Sequence, residues 1–363
     1  MMTPKDITQG RLANQKIEGS EFVKPEDTVS WMGAMQAQDL AMAQWAVGLR
    51  TNGTTLKDIV RSLDEAKIIR THILRPTWHF VSGSDIHWII ELSAPHIKAS
   101  QVSRHRQLEL TIKTLSKCFK IIERELENGQ HRTRPELMAK LQKARIDTNE
   151  NRSAHIMFMA ELEGLVGSGR MKGKQTTYAL LEERVKKPRS ITRDEARVKL
   201  ARKYFASHGP ATIADYAWWS GLPMKDVRES LEDIKGELTS VVISGQTYWY
   251  IDAPVHAEIG GVHLLPSFDE YLISYKERSA ALDLQHQQKA FTNNGIFYPV
   301  IVVNGKVCGT WNRKMVLDTV VIEANIFQKV SRKNERELNL LAEEYCKFMG
   351  GSVTALTVKN IKD

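Results

Sequence analysis

Two glutamines separated by one alanine, Gln36 and Gln38, stand in the small and apolar stretch WMGAMQAQDLAMAQWAVGLR, residues 31–50. Core packing has no use for a carboxamide there, and a solvated helix face more often carries Glu or Lys. Near pH 7 a carboxamide is no general base, but it both donates and accepts hydrogen bonds. Two of them can hold one water in attack geometry. That suffices only where the leaving group is already good. Two residues apart on a helix is about 200° around the axis, so the pair would face opposite ways; on an extended or irregular segment both point the same way. The spacing therefore predicts a break between helices at Gln36–Gln38. Asp39 supports this, since it stands where an N-cap for a helix over Leu40–Leu49 is needed. Capping is its expected role, with lining of the active site as the alternative. The competing reading of the glutamines is that their amides cap helix ends.

The elements that would position such a pair come as a repeated unit of helix, turn, helix and β-hairpin. The second copy is the clearest. HRTRPELMAKLQKARID opens with Thr133 as N-cap, Pro135 in the first turn and Glu136 as a first-turn acid. NRSAHIMFMAELEGLVGSG places Ile156, Met159, Leu162 and Val166 at helical spacing and stops at Gly167 and Gly169; RMKGKQTTYALLEERV then reads as two short strands about a Gly-Lys turn. Helix, helix and β-wing in this length is a winged helix-turn-helix. The third copy has a leading helix ended by Gly209-Pro210, helices over Ala211–Ser220 and Met224–Ile234, and a hairpin about Gly245. The first copy reads as helices in KPEDTVSWMGAM, DLAMAQWAVGLR and TTLKDIVRSLDEA, with KIIRTHILRPTWHFVSG as its wing. Beyond Gly260, the stretches GVHLLPSFDEYLISYKERS, YPVIVVNGKVCGTWNRK and MVLDTVVIEANIF read as strands with an Asn304-Gly305 hairpin turn, followed by a final helix. The expected fold is α+β: three tandem winged helices over 1–105, 106–190 and 191–258, then a small β-barrel-like domain over 259–363.

The whole-chain totals bound the function. A chain of 363 residues with 42% hydrophobic and 26% charged residues has an ordinary globular composition and room for several domains. The longest apolar run, FYPVIVVNG (Phe297–Gly305), is far short of a membrane span, and the polar start is no signal peptide. Cys118, Cys308 and Cys346 are scattered, without Cys-x-x-Cys or His-Glu-x-x-His, so neither a disulfide framework nor a structural metal is expected, and the cytoplasm is the expected compartment. Net charge is +8, but it is unevenly spread: Lys98–Lys203 carries 25 Lys/Arg against 13 Asp/Glu, and the remainder 26 against 30. A basic middle is the footprint of a phosphate-backbone binder; long helices with solvated cations would leave the same footprint.

Several stretches, in order and at their intervals, resemble the AlkZ/YcaQ-type family of winged-helix DNA glycosylases almost end to end. They are MQAQD (Met35–Asp39), RTHILRPTWHFVSGSDIHW (Arg70–Trp88), SHGPATIADYAWWSGL (Ser207–Leu222), LLPSFDEYLISYKER (Leu264–Arg278) and GTWNRK (Gly309–Lys314). The resemblance implies three tandem winged helices and a C-terminal β-barrel around a DNA-sized concave surface. It also implies a Gln-x-Gln catalytic motif, matched by Gln36 and Gln38. A sister branch has Gln-x-Asp; Gln at the second position places this chain nearer the branch acting on bulky alkylpurines, toxin adducts and crosslinks. A purine alkylated at N7 of guanine or N3 of adenine is cationic and leaves readily, which is the leaving group that two neutral carboxamides require. The expected reaction is monofunctional: water attacks C1′ and an abasic site remains. No lysine stands in the motif to form a Schiff base, and no cofactor or metal is implied. The partner is double-stranded DNA with alkylated purines, with no membrane, and a monomer is expected because tandem repeats supply their own interfaces.

Around this centre, even spacing would put Arg75, Thr77 and His79 on one strand face lining the active site, although Pro76 disturbs the strand; a polar edge-strand face is the alternative, and a structural role is expected for His79. Candidate DNA contacts are Arg70, Arg104, Arg106, Arg132, the wing residues Arg170, Lys172 and Lys174, and Arg278 and Arg313 of the last domain. Each also fits a solvated surface charge. Trp218 and Trp219 read as core of the third unit, with base stacking as the alternative. Asp269, Tyr271 and Trp311 carry the resemblance without assigned chemistry, and no base-flipping pocket is evident. The rival function is a non-catalytic winged-helix DNA-binding protein such as a transcriptional regulator, which would have no need of paired glutamines outside a recognition helix. A fold without activity is the third reading.

Overall fold

The computed structural model describes residues 3–251, 260–316, 319–328, 330–351 and 353–360. The first group of elements is α1 (Pro4–Asn14), α2 (Pro25–Met32), β1 (Met35–Gln36), α3 (Leu40–Gly48), α4 (Leu56–Asp64), β2 (Ile68–Ile73) and β3 (Thr77–Ser82), with the strands ordered β1-β3-β2. Helices α5 (Ile86–Ser100) and α6 (Val102–Gln107) lead to α7 (Ile112–Leu126), β4 (Arg132–Thr133), α8 (Arg134–Lys143), α9 (Arg152–Leu162), β5 (Val166–Ser168), β6 (Thr177–Leu180) and α10 (Leu181–Arg184), ordered β4-β6-β5. The third group is α11 (Arg193–His208), α12 (Ile213–Ser220), α13 (Met224–Ile234) and the hairpin β7 (Thr239–Ile243) with β8 (Gln246–Tyr250). The last comprises β9 (Val262–Leu265), α14 (Glu270–Ile273), α15 (Gln287–Ala290), β10 (Val300–Val303), β11 (Lys306–Val316), β12 (Thr319–Ile326), α16 (Arg332–Met349) and β13 (Val353–Asn360).

Local chemistry sets these boundaries. Thr133, Thr192 and Thr212 each accept from the backbone three residues on and are answered by Glu136, Glu195 and Asp215, so α8, α11 and α12 all begin with a reciprocal cap. Asn304 (φ 50°) and Gly305 (φ 82°) form the tight turn between β10 and β11 that the sequence announces.

Three expectations are corrected. The C-terminal strands do not close into a barrel among the described residues: they make one open sheet, β13-β12-β11-β10-β9. Its last connection runs through α16, and such a helical crossover returns β13 parallel to β12 rather than onto β9. Helix α9 ends at Leu162, because Gly164 takes φ 68° and Val166–Ser168 then pairs with β6; Val166 belongs to a strand, and Leu181–Arg184 is a short helix. Within LLPSFDEYLIS, Glu270–Ile273 is a helical turn, since Asp269 caps it by accepting from the Tyr271 N–H at 2.9 Å. The expected boundary at 258/259 falls outside the described residues.

Packing ties the ends of the chain together. Val29, Met35, Trp45, Val47 and Phe80 of the first group share one buried cluster with Leu264, Trp311, Ile322, Tyr345 and Phe348 of the last. A second cluster joins β2 and α5 to the second and third groups through Ile69, Ile89, Leu141, Ile156, Tyr204 and Trp219. Among the described residues no helix is long and apolar enough to cross a membrane.

Candidate active site

Gln36 and Gln38 lie in the extended segment between α2 and α3, as their spacing requires. Asp39 caps α3, its Oδ1 accepting from the Ala41 and Met42 N–H groups at 3.1 Å each, so its carboxylate is engaged in the helix end. β1 is an edge strand, and its backbone groups alternate in direction. The Ala37 N–H donates inward to the Trp78 carbonyl at 2.7 Å, while the Gln36 N–H points outward and donates to Glu270 Oε1 at 2.5 Å. The Gln36 side chain is buried, and its Oε1 accepts from Thr77 Oγ1 at 3.1 Å and Arg75 Nη2 at 3.3 Å. Arginine can only donate, so the atom facing it must be the oxygen and the amide NH2 is directed elsewhere. Gln38 is exposed. One glutamine of the pair is therefore fixed by three bonds, and the other stands at the surface.

The strand carrying the lining residues is interrupted where Pro76 made trouble. Leu74–Pro76 is the turn between β2 and β3, so Arg75 projects from a turn while Thr77 and His79 share a face of β3. His79 lies opposite Gln36 in the ladder, is fully buried, and its Nδ1 donates to the Thr77 carbonyl at 2.9 Å. Burial, reinforced by the Arg75 charge, lowers its pKa to about 4, so the ring is neutral near pH 7. Arg70 holds the motif by its backbone: Nε donates to the Ala37 carbonyl at 3.0 Å, Nη2 to that of Gln38 at 3.5 Å, and its guanidinium lies 4.1 Å from the Trp78 ring centre. That assigns Arg70 a holding task in addition to any contact with DNA.

One residue central to the site went unrecognised in the sequence, and a second was read as core. Glu270 is buried beneath Gln36; besides the Gln36 N–H it accepts from Trp219 Nε1 at 3.2 Å and from the Ser274 hydroxyl, with His208 Nε2 at 3.5 Å. Burial alone would raise its pKa, but His208, Ser274 and the Gln36 N–H outweigh it and hold the carboxyl at about 2. The platform bearing Glu270 is itself clamped. Arg50 pairs with Asp269 through two bonds of 2.8 and 2.9 Å, both side chains buried, and Asp215 accepts from the Lys276 and Glu277 N–H groups. The signal available was an acidic pair inside the apolar run LLPSFDEYLIS, where an unpartnered charge is costly.

The second is Trp218. Adjacent positions on a helix point about 100° apart, so Trp218 and Trp219 cannot both enter one core. Trp219 is fully buried, and Trp218 is 41% exposed, which corrects the expectation that both are core. Its Nε1 donates to the Ile273 carbonyl at 2.8 Å, and that carbonyl also accepts from Arg75 Nη1 at 3.2 Å. The guanidiniums of Arg75 and Arg278 lie 5.6 and 5.5 Å from its ring centre.

The remaining candidates divide. Arg278 is half-buried and joins this group; Arg313 lies over Tyr345 at 5.4 Å and feels the Asp39 charge. The candidates of the second group do not meet the glutamines. Arg132 pairs with Glu125 (3.4 Å), Lys172 with Glu136 (2.5 Å), and Arg170 Nε donates to the Asp64 carbonyl (3.4 Å). Arg104 bonds Gln107, and Arg106 and Lys174 are exposed.

The chain as a whole is similar to known proteins. The family description "DNA glycosylase AlkZ-like" fits residues 29–348. A curated relative from Streptomyces sahachiroi, named an interstrand DNA cross-link repair glycosylase, is 24% identical over 326 residues, covering 85% of this chain and 87% of the relative. The solved structure of the Streptomyces sahachiroi DNA glycosylase AlkZ superposes with a TM-score of 0.83 at 20% identity, over 99% of this chain and 100% of that one, a likeness of fold. With the family description spanning most of the chain, the protein belongs to the AlkZ-like DNA glycosylases, and its enzyme class is theirs.

Proposed function

We propose that this protein is a monofunctional glycosylase that hydrolyses the N-glycosidic bond of cationic alkylpurines, N7-alkylguanine and N3-alkyladenine, in double-stranded DNA, with bulky toxin adducts and interstrand crosslinks among its substrates. The observation that carries the reading is the unequal pair: Gln36 locked with its carboxamide orientation dictated by Arg75, Gln38 exposed beside it. The Gln36 NH2 donates to a water, the Gln38 carbonyl oxygen accepts from it, and the water is aimed at C1′. The C1′–N bond breaks with its electron pair going to the purine, which loses its positive charge. Water oxygen bonds C1′, its proton passes to solvent, and an abasic site remains. Neither neighbouring titratable group serves as a base near neutrality, since His79 is enclosed and Glu270 is tied into its network.

In this reading the three groups of helices and short sheets are winged helices over 1–105, 106–190 and 191–258, followed by the open-sheet domain over 259–363, and the enzyme works as a cytoplasmic monomer without cofactor. The crosslink activity named for the Streptomyces sahachiroi relative supports the bulky end of the substrate range. The test is release of 7-methylguanine from a duplex carrying one N7-methylguanine, followed by a crosslinked duplex. Gln38→Ala is expected to lose about 100-fold or more in single-turnover rate, with DNA affinity kept within about twofold. No release by wild type from either substrate would overturn the proposal.

A further inference from the structure

The geometry points to a nucleotide subsite beside Gln36, built by Trp218, Arg75 and Arg278, in which a DNA base packs on the open part of the indole and the adjoining phosphodiester meets the two guanidiniums. It rests on the reading of Gln36 and Gln38 as the reacting centre, and it adds a residue, Trp218, to the machinery.

Four observations carry it. The indole is open to solvent at 41% although its neighbour Trp219 is fully enclosed, and an exposed tryptophan is an unusual expense on a helix otherwise devoted to packing. The ring is nevertheless held in place, its N–H bonded to the Ile273 carbonyl at 2.8 Å, so it is presented as a fixed surface. Second, two guanidiniums flank it, and among the described residues neither Arg75 nor Arg278 forms an ion pair with a carboxylate. Arg278 donates to the Leu272 carbonyl at 2.9 Å and lies 5.1 and 5.2 Å from the rings of Phe291 and Phe297; burial and the nearby Arg75 together lower its pKa to about 10. Like charges brought together in a half-buried site repel, and an anion between or beside them relieves that repulsion. Third, Arg75 Nε is buried without a partner, a donor left over on the residue nearest the glutamine.

The fourth is how closely the parts are fitted. Gly221 ends α12 with φ 65°, and a Cβ there would come within 3.1–3.2 Å of the Leu74 carbonyl oxygen and the Arg75 nitrogen. Glycine at this one position lets the helix that carries Trp218 abut the turn that carries Arg75. Since Arg75 Nη2 also bonds Gln36 Oε1, the subsite and the glutamine share one guanidinium. A flat aromatic face with two forked cations is the chemistry that recognises a base and its phosphate together. Filling the subsite would fix the nucleotide strand relative to the water held at Gln36.

The test measures binding apart from chemistry. Wild type, Trp218→Ala, Trp218→Phe, Arg278→Ala and Gln38→Ala are titrated with a fluorescently labelled duplex bearing an uncleavable analogue of the target nucleotide, across a salt series, with thermal melting as the check on folding. Trp218→Ala is expected to weaken binding about tenfold or more, within the range of one lost base stack, with the salt slope unchanged, and Trp218→Phe to recover most of the loss. Arg278→Ala is expected to flatten the slope of log K against log salt by about one phosphate contact. Gln38→Ala is expected to bind as wild type does. Wild-type affinity in a folded Trp218→Ala, or an unchanged slope in a folded Arg278→Ala, overturns the subsite. That result leaves the glutamine chemistry standing if Gln38→Ala remains inactive; if Gln38→Ala excises normally while Trp218→Ala binds poorly, the glutamine reading fails and the subsite stands as a DNA contact.

Discussion

The basic middle of the chain and the surroundings of Gln36 and Gln38 use positive charge in opposite ways. In the middle, part of the cations are answered by acids, Arg132 and Lys140 by Glu125, Arg152 by Glu109 and Asp147, Lys172 by Glu136, Arg197 by Asp194 and Asp233, while others such as Arg106 and Lys174 stand exposed. Around the glutamines, Arg70, Arg75, Arg278 and Arg313 bond carbonyls or face aromatic rings, and among the described residues none of the four forms an ion pair. The charge totals along the sequence point to the first region; the second holds fewer cations, but its four arginines are half-buried and tied to carbonyls and rings rather than to acids. Net charge reports how many cations a segment carries, whereas what a phosphate meets depends on how each of them is held.

The contrast can be broken or sharpened by experiment. The largest expected effect is on the floor of the site: Asp269→Ala leaves Arg50 buried and unanswered and is expected to cost about 3–5 kcal/mol of stability, read as a fall in denaturant midpoint with loss of excision. A stable, active Asp269→Ala protein would show that the platform under Gln36 is held by other means. Next is a pH effect confined to the site. His79 resists protonation until about pH 4 when folded, against an ordinary 6.5, so between those values the unfolded chain binds the extra proton and stability falls as pH falls. The full difference is roughly 3 kcal/mol, reached near pH 4. Thermal midpoints of wild type and His79→Asn, followed from pH 7.5 to 4.5, are expected to diverge most at the neutral end and draw together on acidification; parallel curves would remove His79 from the account. The smallest effect belongs to the paired region. Lys172 is largely exposed, and Lys172→Gln is expected to leave the thermal midpoint within about 1 °C and excision unchanged, because an exposed pair contributes little. A steep loss of DNA affinity in that variant would restore the wing to the centre of the interface.

How far the sequence could be read follows from the range of the forces involved. The break at Gln36–Gln38, the Asp39 cap, the start of α8 at Thr133 and the Asn304-Gly305 turn are decided by neighbours a few residues apart, and all were legible. The open sheet was not, because whether β13 pairs with β12 or closes onto β9 depends on the direction of a chain returning through an 18-residue helix. Glu270 was invisible for the same reason: its partner Gln36 is 234 residues away, and strand alternation in FDEYLIS looks plausible until Arg50 is known to hold Asp269. Trp218 was misjudged for a simpler cause, since composition treats it and Trp219 as equal while helical geometry separates them and buries only Trp219.

The cluster that joins the first elements of the chain to the last has a consequence for how the enzyme comes into being. The segment with both glutamines is made 234 residues before its anchor at Glu270, and Tyr345 and Phe348, the partners of Trp45, follow later still. A nascent or truncated chain therefore carries the motif without the frame that aims it. The motif is framed only once Glu270 and α16 have been made, however early its own residues appear.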